Sequence, residues 1–216
     1  MPAKNRIRQY IEDSSYHCYN RGVEKRQIFL DKQDYSVFLS YLKDYLSPID
    51  SADIKSRISS RVKNYSDDLS LLAYCLMPNH FHLMLHQQTK DGIRYFMQSL
   101  STRYTMYFNT KYKRVGSLFQ GTYKAALILT DEQLIYLSYY IHHQATLDLQ
   151  GQTLQVQRPS SLPNYLGHIK QNWVKPDKVL AWFNTSQSSI NSYSDFIYDI
   201  GSKKNIVSPI EDILLD

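Results

Sequence analysis

Apolar positions along the chain change their spacing in an order that predicts β-α-β-β-α-β followed by one more helix. Residues 15–21 (Ser-Tyr-His-Cys-Tyr-Asn-Arg) are rich in strand formers and stop at Gly22. From Asp31 to about Leu46, Tyr35, Phe38, Leu39 and Leu42 recur at helical spacing, with Pro48 just beyond as a stop. Residues 47–68 form a polar insertion, predicted to hold a short basic helix over 53–63. Leu71–Met77 and His80–His86 are strand-like runs joined by Pro78-Asn79, a tight hairpin. Gly92 to about Tyr112 carries an apolar stripe of Ile93, Phe96, Met97, Leu100, Tyr104, Tyr107 and Phe108. Thr122–Leu129 predicts a fourth strand. A last core helix is predicted from Asp131 to about Asp148, capped by Thr130 or Asp131.

This order is the ferredoxin-like (βαββαβ) arrangement of the α+β class. One antiparallel sheet carries two helices on one face, leaving the other available to an extra helix. Gly151-Gln-Thr and Arg158-Pro159 mark a break. A core domain over 1–149 and a mostly helical extension over 150–216, anchored by Tyr165, Leu166, Trp173, Val179, Leu180, Trp182 and Phe183, are therefore predicted. Residues 201–216 are expected to fray.

Composition narrows the function. With 43% hydrophobic and 21% charged residues among 216, the chain is a globular type rather than a disordered one. No apolar run approaches a membrane span, and no signal-like apolar stretch follows the N-terminus, so a cytoplasmic protein without a membrane partner is expected. Two cysteines, Cys18 and Cys75, make neither a disulfide framework nor a zinc knuckle. The net charge of +5 lies wholly in the first 149 residues, because residues 150–216 carry six basic and six acidic groups. Positions 90–124 hold seven basic residues (Lys90, Arg94, Arg103, Lys111, Lys113, Arg114, Lys124) against Asp91, with eight aromatics among them. Cations neutralise phosphates and rings stack on bases, so the mixture suits single-stranded nucleic acid.

Five of the seven histidines fall in two places, His80, His82 and His86 on one strand and His142 and His143 on one helix. Strand alternation puts His80, His82 and His86 on one side and Phe81, Leu83 and Leu85 on the other. The apolar side belongs against the helices, so the imidazoles face the uncovered side, where His80 and His82 can converge on one divalent ion. His17 can reach the same face, though packing accounts for it. On the last core helix Tyr140 and Gln144 lie one turn apart, in a polar stripe with Gln133 and Tyr136. A glutamine carbonyl can complete a two-imidazole site, and a nearby phenol can attack a polarised phosphate. Spacing alone leaves Tyr136, Tyr139 and Tyr140 equally open.

The segment Leu76-Met77-Pro78-Asn79-His80-Phe81-His82-Leu83 resembles the His-hydrophobe-His motif of single-tyrosine transposases, most closely the REP-associated branch. The resemblance continues in Tyr19-Asn20-Arg21-Gly22, Gly116-Ser117-Leu118-Phe119-Gln120-Gly121, Tyr140-Ile141-His142-His143-Gln144 and Ser160-Ser161-Leu162-Pro163-Asn164-Tyr165-Leu166-Gly167, over roughly residues 15–185. It implies Mg2+ or Mn2+ held by His80, His82 and Gln144. It also implies Tyr140 as the nucleophile on single-stranded, hairpin-bearing DNA, leaving a 5′-phosphotyrosine link and a free 3′-OH. Arg21, Arg94, Arg103, Lys111, Lys113, Arg114 and Lys124 are the expected DNA contacts, and monomer and homodimer are both open. Two departures stand out. Phe119-Gln120-Gly121-Thr122 replaces the family's Trp-Gln-Gly-Arg, and Gln144-Ala145 replaces the Asn-Pro common in the REP-associated branch. The alternative is a non-catalytic single-stranded nucleic-acid-binding module on the same fold. Metal hydrolase folds are set aside, because the chain is short for a barrel and holds none of the two H-x-Ser/Thr motifs a two-histidine phosphoesterase needs.

Overall fold

Near-continuous burial along three of the strands, and amphipathic stripes on the helices, assemble one antiparallel four-stranded sheet. The computed structural model describes residues 10–48, 63–147, 155–156, 158–184, 192–201 and 208–214. Its elements are β1 (Ser14–Arg21), α1 (Lys32–Leu46), β2 (Leu69–Met77), β3 (His80–Gln87), α2 (Gly92–Lys111), β4 (Lys124–Ile128) and α3 (Asp131–His143). The sheet order is β2-β3-β1-β4, every neighbouring pair running antiparallel. This is the ferredoxin-like order the pattern predicts. The helix expected over 53–63 lies, but for Lys63, outside the described residues.

Local chemistry sets the element ends. Asp31 caps α1, its side chain accepting from the backbone N–H of Asp34 while Asp34 reaches back in a capping box. Thr130 caps α3 by accepting from the Gln133 N–H at 3.1 Å. The two-residue connection Pro78-Asn79 turns β2 into β3, and the loop after β1 grips it. The Pro78 carbonyl accepts from Ile28 and Phe29, and the Asn79 carbonyl from Gly22. At Gly22 a Cβ would stand 2.3 Å from the Arg26 carbonyl oxygen, so only glycine fits.

The sheet has two buried faces. On one, Tyr16, Cys18, Phe81, Leu83 and Leu85 pack with Phe38 and Leu42 of α1 and Phe96, Leu100 and Tyr104 of α2. On the other, Cys75, Met84, Ala126 and Ile128 pack under Leu134, Leu137 and Ile141 of α3. The face expected to lie uncovered is therefore closed, by α3 together with short segments from the last third of the chain. Those segments are α4 (Leu162–Tyr165), α5 (Asp177–Leu180), α6 (Tyr193–Gly201) and 3-10 turns at Ala181–Asn184 and Ser208–Ile213. They contribute Val179, Phe183, Phe196, Ile210 and Ile213 to the same cluster. Burial of Ile210 and Ile213 also corrects the expected fraying of 201–216 over residues 208–214. Backbone hydrogen bonds from Leu76 to Pro159 and from Lys175 to Leu71 cover the outer edge of β2.

Helix α3 ends at His143, short of the expected Asp148. Arg158 explains the stop: its Nη1 donates to the Gln144 carbonyl at 2.9 Å, a cation on the negative end of the helix. The chain then pairs Thr146–Leu147 (β5) with Gln155–Val156 (β6).

Candidate active site

Three sequence-predicted residues meet between β3 and α3. The His80 and His82 rings lie 4.9 Å apart between centroids, at right angles. The Tyr140 ring stands edge-on to His82 at 5.6 Å. Tyr139 turns instead toward His143, and Tyr136 toward Phe196. Of the three tyrosines spacing leaves open, Tyr140 is thus the one that packs edge-on against His82. Gln144 follows one turn later as the half-buried cap of α3, its N–H bonded to the Tyr140 carbonyl at 3.1 Å.

Burial shapes the electrostatics. His82 is fully enclosed and its pKa falls well below the ordinary histidine value, by desolvation first and then by the neighbouring His17 and His80. His80 is lowered to about 4, by burial and then by the positive charges of Arg21 and Arg158. Both imidazoles are therefore neutral at pH 7, the form that offers a lone pair. Burial raises the Tyr140 phenol, with a smaller contribution from Cys75, so it is protonated until something at the site draws the proton away.

Among the described residues, Nε2 of His82 is a buried side-chain atom with no hydrogen-bond partner. An enclosed, unsatisfied polar atom costs about 1–3 kcal/mol, and a divalent cation at that lone pair would relieve it. The donor set fits such an ion, with imidazole nitrogens from His80 and His82 and an amide oxygen available from Gln144. Among the described residues no cluster of three His, Cys, Asp or Glu side chains gathers.

The expected DNA-contacting cations divide into two groups. Lys111 is committed, its ammonium 2.7 Å from Asp31 and 2.8 Å from the fully buried carboxylate of Asp34. Burial alone would raise the Asp34 pKa, but Lys111, the Leu30 N–H and the Tyr112 and Tyr107 hydroxyls hold it below the usual carboxylate value. Arg103 pairs with Asp44 at 3.0 Å and lies 3.8 Å over the Tyr41 ring. Arg114 donates to the Asn109 side chain at 3.1 Å. Lys113 and Arg94 are exposed, Arg94 lining a polar groove with Asn20, Gln98, Ser101 and Thr122. Lys124 lies over the Tyr19 ring at 5.8 Å, and Arg21 pairs with His80 in the strand register.

Sequence reasoning passed over Arg158, whose partner Gln144 lies 14 residues earlier. It left Asn79 as a turn residue and His17 as packing. Asn79 carried one signal, its place directly before the histidine pair.

A family model described as "Transposase IS200 like" matches residues 11–144. No curated protein matches the chain. Among solved structures it is similar to a REP-associated tyrosine transposase bound to a REP hairpin, at 14% identity and a TM-score of 0.42, over 80% of this chain and 78% of that one. It is also similar to a protein of Deinococcus radiodurans R1 provisionally described as a transposase, at 19% identity and a TM-score of 0.38, over 64% of this chain and 96% of that one.

Proposed function

Since the chain belongs to the family of IS200-like transposases, we propose that it cleaves and rejoins single-stranded DNA through a covalent bond to Tyr140. The observation that carries this reading is the buried, partnerless Nε2 of His82 beside the Tyr140 ring. In the proposed step the Tyr140 oxygen attacks a backbone phosphorus and the bond from phosphorus to the 3′ oxygen breaks. The phenolic proton passes to solvent and the departing 3′ oxygen takes one up. What remains is a 5′-phosphotyrosine and a free 3′-OH. Attack by a 3′-OH on the phosphotyrosine runs the same exchange backward, joining strands and restoring the phenol.

His80, His82 and Gln144 would hold Mg2+ or Mn2+, with the nitrogens favouring Mn2+. When bound, such an ion withdraws charge from the non-bridging phosphate oxygens. The protein's own contribution is positional. β3 fixes both imidazoles on one face, α3 places the phenol against them, and Arg21 and Arg158 give the pocket around His80 a positive field that attracts phosphate. Exposed Lys113 and Arg94, with Lys124, are proposed to track the DNA backbone, while Lys111 and Arg103 hold the fold through their ion pairs. Hairpin-bearing single strands, which the resemblance of the sequence motifs implies, are the proposed substrates.

The test is incubation with a panel of hairpin-bearing single strands, scored for a protein–DNA adduct on a denaturing gel. Adduct should form with Mn2+ or Mg2+ and vanish with chelator, and His80→Ala or His82→Ala should abolish it. Equal cleavage by chelator-treated protein would show that the histidine pair serves another purpose.

A further inference from the structure

Nothing in the proposed chemistry uses His17, although it is a fully buried imidazole on β1 beside the site. Its Nδ1 is hydrogen-bonded to the backbone carbonyl of Ile213, and its Nε2 lies 2.9 Å from Nδ1 of His82. A carbonyl oxygen can only accept, so the His17 proton sits on Nδ1 and its Nε2 is an acceptor. His82 Nδ1 must then be the donor. With that proton placed, a neutral His82 has its lone pair on Nε2, the sealed atom without a partner.

A separate chain reaches the same result at His80. The Asn79 amide nitrogen donates to the Lys25 carbonyl at 3.3 Å, which turns Oδ1 toward His80. That oxygen lies 2.6 Å from His80 Nδ1 and can only accept. The His80 proton is thereby fixed on Nδ1 and its lone pair on Nε2. Two unrelated hydrogen-bond paths, one from a turn 196 residues away and one from the hairpin tip, impose one tautomer on both imidazoles.

We infer that His17, held by the Ile213 carbonyl, is a positioning residue that presets His82 as a ligand through Nε2, and that Asn79 does the same for His80. The inference rests on reading the pair as a divalent-cation site. Donating the distal N–H to a fixed acceptor orients an imidazole ligand and strengthens it, and losing such a partner typically costs about 10–100-fold in metal affinity. Packing alone would ask less of position 17. The ring lies 5.1 Å from that of His82 and, tilted, 4.8 Å from that of Tyr19, contacts that an apolar side chain of similar size would partly retain.

The experiment compares the full chain with His17→Leu, which keeps bulk without an acceptor, and His17→Gln, which keeps an acceptor and a donor on one side chain. Long-range proton–nitrogen NMR on metal-free protein reads the tautomers, and Mn2+ titration followed by electron paramagnetic resonance reads affinity. Metal-free wild type should show His80 and His82 protonated at Nδ1. His17→Leu should weaken Mn2+ binding about 10–100-fold and mix the His82 tautomers, and His17→Gln should recover most of the affinity. Protonation of His82 at Nε2 in wild type would overturn the inference, even where the leucine variant fails to fold. Mn2+ affinity within twofold of wild type in a folded His17→Leu would overturn it alone, leaving the metal site standing. A wild-type chain with the expected tautomers but no Mn2+ binding would instead remove the metal reading, and this inference with it.

Discussion

His142 shows how one residue fixes the helix that carries the proposed nucleophile, Tyr140. Two positions after Tyr140, it points into the core. Its Nε2 lies 2.8 Å from the Ser161 hydroxyl and its Nδ1 2.6 Å from the Tyr193 hydroxyl. Tyr193 donates onward to Ser138 at 3.1 Å, and Ser138 to the Ile135 carbonyl at 2.7 Å. Helix α3 is thereby tied to β2 and to α6. Burial lowers the His142 pKa to about 3, against about 6.5 in an unfolded chain. Below pH 6.5 the unfolded state binds a proton that the native state refuses, so this contribution to stability is complete above 6.5 and is lost as pH falls toward 3. The expected slope is about 1.4 kcal/mol per pH unit for this group. Urea unfolding at pH 7, 6 and 5 should show wild type weakening by that slope added to those of the other buried histidines, His17, His80 and His82. His142→Gln should start lower and fall less steeply, and parallel curves would remove the assignment. Strand alternation made the facing of His80 and His82 legible in the sequence. The roles of His142 and His17 were not, because their partners lie 51 and 196 residues away and no local spacing encodes them.

At the scale of elements, the hairpin at Pro78-Asn79, both long helices and the strand order follow from periodicity and punctuation. The closure of the second sheet face does not. It depends on four-residue helices and single turns too short to show a period, such as Leu162–Tyr165 and Asp177–Leu180. The basic run at the end of α2 misleads in a related way, since charge in a sequence does not reveal its partner. Lys111 stitches that helix end to the start of α1 through Asp31 and Asp34, with Tyr107 and Tyr112 also donating to Asp34. Lys111→Ala leaves the buried Asp34 carboxylate without its counter-ion, so the thermal unfolding midpoint should fall clearly. The exposed Lys113→Ala should leave that midpoint in place and weaken DNA binding instead. Equal midpoints for the two variants would return Lys111 to the solvent-facing surface.

For the whole molecule, residues 11–144, which the family model matches, carry sixteen basic and thirteen acidic groups, Lys4, Arg6 and Arg8 add three more cations before them, and residues 150–216 are balanced. Among the described residues no helix is long and apolar enough to cross a membrane. Affinity for single-stranded DNA should fall linearly with log salt, at a slope near −0.7 per phosphate neutralised. Replacing Arg94, Lys113 and Lys124 together should flatten that slope, and an unchanged slope would move the DNA path elsewhere on the surface. The central claim is that Tyr140 carries the DNA, and peptide mass spectrometry of the covalent adduct tests it most directly. Digestion of adduct formed with Mn2+ should place the nucleotide on Tyr140, and Tyr140→Phe, which removes only the oxygen, should yield none while staying folded and bound to DNA. Nucleotide found on Tyr136 or Tyr139, or undiminished adduct from the phenylalanine variant, would contradict the account.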